Sequence, residues 1–331
     1  MLKKKINLLA TLLLAITCAS CSQAVLKNDE TFQSKHVLKI VNWNVETFFD
    51  SVTTGNEYDE FVSSKNWGHE SYVERLKRLS SVIQNLDADI FVMEEVENEG
   101  VLYDLYNFLS AQWDFKKLYP YACFAKDEGS SIGCGLLSRY PLEDMTVHSL
   151  DVRTESEQMP KMRPLMQVRI CVGEEKFTLF VSHWKSMLGG ESSTEKWRLW
   201  QESVLSSEIS SCVRRGMPCL SCGDFNRDIH SFAGGKTKGS VLLRNKFSGG
   251  CEVQSGWYLS DGSMVSPGSY WYDGWSRIDN FFAGGRAFIV SLSCETDGPW
   301  YDSESDCPFA YRIWSGNGYS DHLPVTCIVS F

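Results

Sequence analysis

Short apolar runs that end abruptly in acids, amides or histidines recur along this chain and limit the folds open to it. Six such endings follow one another, at 44–46, 94–98, 182–186, 223–226, 277–280 and 320–322. The apolar runs are typical of buried strands. Polar side chains at strand ends lie on the rim of a sheet, where binding sites form on a rigid scaffold. We therefore expect a sheet-based fold whose polar strand ends converge on one site.

The pattern between these endings predicts helices among the strands. The predicted strands are 37–43, 88–93, 134–138, 166–172, 177–182, 218–222, 280–283, 287–292 and 325–331. One helix is predicted to begin at the capping box Ser71–Glu74, a second spans Val101–Ala111, and a third runs from an N-cap at Thr194 to Val213. The stretches 51–69 and 228–240 are predicted loops. Helices interspersed with many strands indicate an α/β sandwich.

The composition excludes several classes of protein. Of the 331 residues, 43% are hydrophobic, 22% charged and 13% aromatic, which excludes a disordered chain and provides for a large core. A single apolar run near the N-terminus approaches membrane length, so a polytopic membrane protein is excluded. The formal net charge of −10 gives no general attraction to nucleic acid. Phosphates would have to be bound locally, through metal ions or a few basic residues.

The N-terminal segment is interpreted as a targeting signal. Three lysines, Lys3–Lys5, precede the apolar stretch Ile6–Ile16, and small residues surround Cys21. The pattern is similar to a bacterial lipoprotein signal, with Cys21 as the lipidated residue, although Cys18 stands where leucine is usual. Plain secretion and an uncleaved N-terminal anchor are the alternatives.

Three segments are expected along the chain. Residues 1–20 would be the signal peptide, residues 21–36 a polar tether, and residues 37–331 one domain, because no Pro/Gly-rich linker divides them. This organisation predicts an exported lipoprotein of the cell envelope, periplasmic or on the surface, or alternatively a secreted protein.

Ten cysteines follow the N-terminal segment, and disulfides are expected in an exported chain. The connectivity is open. The pairs that we favour, because each closes a short loop-rich stretch, are Cys123 with Cys134 and Cys294 with Cys307.

A CxxC sequence at Cys219–Cys222 suggests a redox or zinc site at first sight. The flanking residues, however, predict a strand, in which residues three apart point to opposite faces. We interpret Cys219 and Cys222 as two unrelated strand cysteines.

The six polar endings, in this order, resemble the endonuclease/exonuclease/phosphatase superfamily. Its members include deoxyribonuclease I-like nucleases, abasic-site endonucleases, inositol polyphosphate phosphatases and neutral sphingomyelinases. The resemblance covers roughly residues 37–331. It implies a four-layer sandwich of two packed mixed β-sheets flanked by helices, and divalent-metal-dependent hydrolysis of phosphodiester bonds.

The resemblance also implies a metal site made of oxygen ligands. Glu95 is the first expected ligand and Asp321 the second, while Asn44 and Glu46 would flank the same ion. Mg²⁺ typically uses one or two carboxylates and keeps several waters; Mn²⁺ and Ca²⁺ are alternatives. Taken alone, Glu95 would be a solvated acid. Glu94 stands where many relatives carry glutamine, and this added acid would tighten metal binding or change substrate contacts.

Five catalytic residues are expected from the same resemblance. In an extended segment, Asp224 and Asn226 lie on one face, so both could reach one phosphate. In the family, the matching aspartate orients or deprotonates the attacking water and the asparagine holds a phosphate oxygen. The alternative is an Asx-rich turn. His183 and His322 would lie beside the scissile phosphate, with Asp279 fixing the tautomer of His322.

Three further features concern the substrate. Lys185 is either a phosphate contact or a solvated surface lysine. The aromatic stretches Trp257–Tyr258 and Tyr270–Trp275 could stack bases or pack on themselves. A basic run from Lys236 to Lys246 could form a positive groove. Short single strands, oligonucleotides or headgroups therefore fit better than a long duplex.

We expect a metal-dependent nuclease at the cell envelope, with nucleic acid as substrate, a lipid anchor in the membrane, no protein partner and a monomeric state. A phosphatase or a phospholipid- or sphingomyelin-type phosphodiesterase on the same site is the first alternative. A non-catalytic surface adhesin of the same fold is the second. An adhesin would have lost Glu95, Asp224 or His322, and all three are present.

Overall fold

A computed structural model describes residues 36–150 and 159–331, which form four α-helices and eighteen strands. The helices are α1 (Asp59–Ser63), α2 (His69–Leu86), α3 (Glu99–Ser110) and α4 (Glu191–Arg214). The strands are β1 (Val37–Phe48), β2 (Ile90–Val96), β3 (Tyr121–Ala125), β4 (Gly133–Ser138), β5 (Leu142–His148), β6 (Leu165–Val172), β7 (Glu175–His183), β8 (Cys219–Asp224), β9 (Ala233–Gly234), β10 (Ser240–Leu243), β11 (Cys251–Ser255), β12 (Tyr270–Trp271), β13 (Trp275–Ser276), β14 (Asp279–Gly284), β15 (Phe288–Cys294), β16 (Tyr301–Asp302), β17 (Cys307–Pro308) and β18 (Val325–Ser330).

Two large mixed sheets carry most of the strands. The first has the order β15-β18-β1-β2-β4-β3 and the second the order β5-β6-β7-β8-β14-β11-β10-β9. Each sheet has one parallel pair, β1 with β2 and β7 with β8, among antiparallel neighbours. The strands β12 and β13, and β16 and β17, form two small antiparallel pairs.

The two sheets pack face to face and helices cover their outer faces. Strands β1 and β2 contact β8 across the interface, α3 lies on β3 and β4, and α4 lies on β8, β10, β11 and β14. All residues of β4, β8 and β14 are buried, so these strands are covered on both faces. The predicted four-layer deoxyribonuclease I-like sandwich is confirmed.

All nine predicted strands are present, but helix starts and loops differ from the prediction. Helix α2 begins at His69, because the Ser71 hydroxyl donates to the Asn66 carbonyl oxygen instead of capping the helix. Helix α4 begins at Glu191, and Thr194 lies inside its first turn, where its hydroxyl donates to the Gly190 carbonyl oxygen. The predicted loop 51–69 contains α1, and the predicted loop 228–240 contains β9.

The ten cysteines of the described residues are all free, so neither favoured disulfide is present. Register explains the first error, because Cys123 on β3 lies opposite Leu136 of β4 and Cys134 lies opposite Ala125. The CxxC pair lies on β8 as expected. Both of its cysteines are fully buried, and alternation along the strand turns them to opposite faces.

The predicted signal peptide, the lipidation site Cys21 and the tether up to residue 35 lie outside the described residues. Within 36–150 and 159–331, no helix is both long and apolar enough to cross a membrane.

Candidate active site

The polar strand ends meet in one cleft of about 1240 Å³ at an edge of the sandwich. The parallel register aligns Asn44 with Glu94 and His183 with Asp224, so both parallel pairs end at this edge. Nine of the ten residues predicted for the site line the cleft: Asn44, Glu46, Glu95, His183, Lys185, Asp224, Asn226, Asp321 and His322. The tenth, Asp279, is buried behind His322 and hydrogen-bonded to it.

A β-bulge in β2 turns Glu95 toward the cleft. The pairing of β2 with β4 shifts between Glu94 and Val96, and Glu95 adopts a positive φ of 65°. Its carboxylate accepts hydrogen bonds from the Asn44 side-chain amide at 3.2 Å and from the Thr47 amide at 2.8 Å. Glu94, one residue earlier, is fully buried and accepts from Asn42 at 3.2 Å. Glu94 therefore lies below the cleft and does not line it.

Three carboxylates crowd one end of the cleft. Burial, and then the charge of Asp321, raises the pKa of Glu46 to about 8. Burial and the charge of Glu95 likewise raise the pKa of Asp321, although His322 opposes this shift. The buried Arg75 beside them donates to the carbonyl oxygens of Val45 and Thr47, so its guanidinium only partly offsets the negative charge.

This donor set fits a weakly coordinated hard cation. No group of three His, Cys, Asp or Glu side chains among the described residues has the geometry of a complete metal site. Mg²⁺ needs only one or two carboxylates, which Glu95 and Asp321 can provide, and it retains water as its other ligands. Asn44 and Glu46 are already engaged, since the Asn44 side-chain oxygen accepts from the Glu46 amide and Glu46 accepts from the Tyr311 amide.

The carboxylates around His322 favour its protonated form. Burial lowers the pKa of His322, but Asp279, Asp321 and Asp224 outweigh burial and hold it well above its usual range. Nδ1 lies 2.8 Å from Asp279 Oδ2, and the Tyr270 ring lies 4.6 Å from the imidazole. This fixes the ring so that Nε2 carries its proton toward the cleft, 3.9 Å from Asp224.

The surroundings of His183 instead favour its neutral form. Burial, then the charges of Arg163 and His322, lower the pKa of His183 well below its usual range. Its Nε2 lies 3.6 Å from Asp224 and 3.8 Å from Glu95. Within the described part of the chain, its Nδ1 has no hydrogen-bond partner. A neutral imidazole here can offer one N–H to a phosphate oxygen without adding charge.

Asp224 and Asn226 converge through a turn instead of an extended segment. Strand β8 ends at Asp224, and Asn226 adopts a positive φ of 44°. Asp224 Oδ1 accepts from the Asn226 backbone amide at 2.7 Å, which is the Asx turn that was the alternative interpretation. The side-chain amides of Asn226 and Asn44 donate to Asp224 Oδ2 at 3.2 and 3.1 Å. The two residues that form the Asx turn, Asp224 and Asn226, therefore also line the cleft.

The environment of Asp224 suits proton transfer near neutral pH. Burial raises the pKa of Asp224 to about 7, with His322 lowering it and Asp279 raising it. A carboxylate whose pKa lies near the working pH can both accept and release a proton.

Gly223 allows the parallel strands β7 and β8 to approach at the edge of the cleft. Its φ is 140°, and a Cβ there would overlap the carbonyl oxygen of Ser182. We expect Gly223→Ala to lower the free energy of unfolding by about 3 kcal/mol, the upper end for overpacking, and to displace Asp224. Urea unfolding monitored by fluorescence would measure this, with Gly234→Ala, where a Cβ meets open space, as the control. Equal stability of the two variants would contradict the prediction.

Arg163 is a cleft residue that the sequence analysis missed. It lines the cleft two residues before β6, and its Nη1 donates to the Trp184 carbonyl oxygen at 3.2 Å. Arg163 does not follow a strand, but β6 is antiparallel to β7, so the beginning of β6 lies beside the end of β7. A cation just before an antiparallel strand was the signal that could have revealed it.

The aromatic stretches divide between core and cleft. Trp257 is fully buried and its indole donates to the Asp279 carbonyl oxygen at 3.0 Å. Tyr270 and Tyr272 line the cleft instead. None of the basic residues between 236 and 246 lines the cleft, so the suggested positive groove is not part of this site; Arg244, for example, pairs with Glu202.

Comparison with known proteins shows which protein family and which solved structures the chain resembles. The Endonuclease/Exonuclease/phosphatase family matches residues 39–330. No curated protein matches. Similar solved structures include truncated Caenorhabditis elegans TDP2, with 14% identity, 90% of this chain and 99% of that chain covered and a TM-score of 0.57. The human Nocturnin catalytic domain with bound sulfate has 17% identity, coverages of 89% and 94% and a TM-score of 0.55. D. rerio TDP2 with a single-stranded DNA product has 15% identity, coverages of 89% and 99% and a TM-score of 0.52.

These similar structures share one fold, which is the sandwich described above. The family match spans almost the whole described chain and includes every polar strand end of the cleft. The protein is accordingly a hydrolase acting on phosphodiester or other ester bonds. The chain belongs to the Endonuclease/Exonuclease/phosphatase family.

Proposed function

We propose that the protein is a divalent-metal-dependent nuclease of the cell envelope that cleaves phosphodiester bonds in short single-stranded nucleic acid. One observation carries the proposal: Asp224 lies in the same cleft between two buried histidines, 3.9 Å from His322 and 3.6 Å from His183. A phosphodiester placed there meets a proton acceptor and two N–H donors at once.

Each side chain has a distinct part in the reaction. Asp224, with its pKa near 7, orients the attacking water and takes its proton. His322 donates from Nε2 to the phosphate, and Asp279 fixes its tautomer. The Asn226 amide is held by Asp224 Oδ2 and the Trp184 carbonyl oxygen, beside the position of a phosphate oxygen.

The acidic end of the cleft completes the site. Glu95 and Asp321 would hold Mg²⁺, with Mn²⁺ as an alternative and Ca²⁺ as a further one. The ion supplies neutralisation of charge on the phosphate oxygens. Burial is the largest cause of the raised pKa values of Glu46 and Asp321, and a neighbouring carboxylate raises each pKa further, Asp321 that of Glu46 and Glu95 that of Asp321. A nearby cation would relieve this repulsion, which supports the assignment.

The choice of nucleic acid rests on two supports. The D. rerio TDP2 structure of the same fold contains a single-stranded DNA product. In this chain, Tyr270 and Tyr272 line the cleft. The Tyr270 ring packs on His322, whereas Tyr272 is 74% exposed and its ring is available for stacking. The lipid anchor at Cys21, the envelope location and the monomeric state remain predictions from the sequence, and mass spectrometry of Cys21 in the membrane fraction would test the first.

Metal removal should abolish activity. Purified protein incubated with single-stranded DNA or RNA oligonucleotides and Mg²⁺ or Mn²⁺ should cleave at least one of them, and chelator should lower the rate at least 100-fold, reversibly, because the carboxylates alone repel phosphate. Denaturing gels measure the products, with Asp224→Asn as the inactive control.

The same assay separates the alternatives. Release of inorganic phosphate from monoesters, or of headgroup from sphingomyelin or phospholipid, without cleavage of either polymer would replace the nuclease proposal by a phosphatase or lipid phosphodiesterase. Cleavage that persists in chelator would refute metal dependence.

A further inference from the structure

One wall of the cleft carries three cations that the catalytic roles above do not require. Lys161 and Arg163 precede β6, and Lys185 follows β7, so the antiparallel pairing of these strands brings them together. We call these three residues the cationic wall. They lie in a protein of net charge −10, so this local concentration of positive charge runs against the overall charge of the molecule.

The cationic wall is held by backbone oxygens and not by acids. Lys161 Nζ donates to the Gly129 carbonyl oxygen at 2.5 Å, and Arg163 Nη1 donates to the Trp184 carbonyl oxygen at 3.2 Å. Lys185 Nζ makes only a long contact of 3.3 Å to the Ser186 carbonyl oxygen. Among the described residues, none of the three cations forms an ion pair.

Within residues 36–150 and 159–331, the charges of the cationic wall therefore have no carboxylate partner at salt-bridge distance. Burial, then the charges of Arg163 and Arg198, lower the pKa of Lys185. Asp59 and Glu60 line the same cleft, yet neither reaches salt-bridge distance of these cations in the described part of the chain. Like charges gathered in a partly buried wall repel one another, and an anion placed among them removes that repulsion.

The cationic wall begins at the scissile position and extends away from it. Arg163 and the Asn226 side chain donate to the same acceptor, the Trp184 carbonyl oxygen, each at 3.2 Å. Asn226 is the residue proposed to hold the scissile phosphate. Lys161, in contrast, reaches Gly129 in the neighbouring loop. An anion on Lys161 and Lys185 would thus be a second group, beside the one that reacts.

We propose that the cationic wall binds a second phosphate of the substrate, so that the preferred substrate is a short oligonucleotide with a phosphorylated end next to the cleaved bond. This inference rests on the proposed nuclease function and specifies its substrate. The same chemistry could be supplied by the next internal phosphodiester of a longer strand, and the experiment separates the two sources.

The test compares thymidine dinucleotide without an end phosphate, the same dinucleotide with a 5′- or 3′-phosphate, and the trinucleotide. The native protein should show a kcat/KM at least tenfold higher for a substrate with the second phosphate. The ratio of kcat/KM between substrates with and without the second phosphate should fall toward one in Lys161→Met. It should also do so in the double variant Lys161→Met with Lys185→Met. Lys238→Met is the matched control, because Lys238 lies outside the cleft and donates to the Ser260 carbonyl oxygen.

The outcomes are distinct. Preference for the end-phosphorylated dinucleotide supports the inference as stated, whereas preference for the trinucleotide alone assigns the cationic wall to the neighbouring phosphodiester and overturns the end-phosphate specificity. Hydrolysis of all substrates with a ratio near one in the native protein, or a ratio unchanged in the double variant, overturns the second-phosphate site alone. No hydrolysis of any of them overturns the nuclease proposal with it. Circular dichroism melting of each variant checks that the fold is retained.

Discussion

Replacing His322 by alanine should lower kcat by about 10²- to 10⁴-fold, the range for loss of a positioned proton donor. His322 is 4% exposed, hydrogen-bonded to Asp279 at 2.8 Å and surrounded by carboxylates that raise its pKa. Alanine removes the imidazole and leaves the buried Asp279 without its partner. Steady-state hydrolysis of the oligonucleotide cleaved best would measure the loss.

Two variants make the result specific. His230→Ala removes an exposed histidine outside the cleft and should retain native kcat. Asp279→Asn keeps the shape of its side chain but weakens the hold on the His322 tautomer, so its kcat should fall by a smaller factor than that of His322→Ala. A His322→Ala enzyme with native turnover would remove this histidine from the mechanism.

Replacing Glu202 by alanine should lower the free energy of unfolding by about 3–5 kcal/mol, as expected when one partner of a buried ion pair is removed. Glu202 on α4 is fully buried and accepts from Arg227 Nη1 at 2.5 Å and from the Arg244 amide at 2.7 Å. Arg227 directly follows Asn226, so the ion pair also anchors the catalytic turn to α4. Urea unfolding measures the stability loss, and activity should fall with it.

A surface ion pair and a double replacement serve as controls for the pair of Glu202 and Arg227. The pair of Lys176 and Glu143 lies at the surface, and Glu143→Ala should leave the free energy of unfolding nearly unchanged. Replacing both Glu202 by leucine and Arg227 by methionine should be less destabilising than Glu202→Ala. The single variant leaves the buried Arg227 with only the partly exposed Glu195 as a carboxylate partner among the described residues. A loss below about 1 kcal/mol in Glu202→Ala would show that the pair is not what holds α4 to the turn.

Much of this structure could be predicted because the signals are local. The central strands are mostly apolar, and a polar residue such as Asn44 or Asp224 follows the apolar run where the strand reaches the cleft. What the sequence could not supply depends on pairing between distant strands. Arg163 belongs to the cleft only because β6 runs antiparallel to β7. The register of β3 on β4 likewise separates Cys123 from Cys134.

The direction of individual side chains was the second feature that could not be predicted from the sequence. The order of Asp224 and Asn226 suggested one face of an extended strand, whereas the positive φ of Asn226 brings them together through a turn. The aromatic stretches gave no indication that Trp257 is buried under Asp279 while Tyr272 borders the cleft. Such choices are made by tertiary packing and not by local propensity.

The bulge at Glu95 has a consequence for how this site can evolve. Two identical acids stand side by side in the sequence, but the backbone presents one to the solvent of the cleft and seals the other inside the sandwich. Loss of Glu95 therefore cannot be rescued by its twin at position 94. Only an insertion or deletion that shifts β2 by one residue could exchange them. That shift would also turn all the remaining side chains of the strand to the opposite face of the sheet.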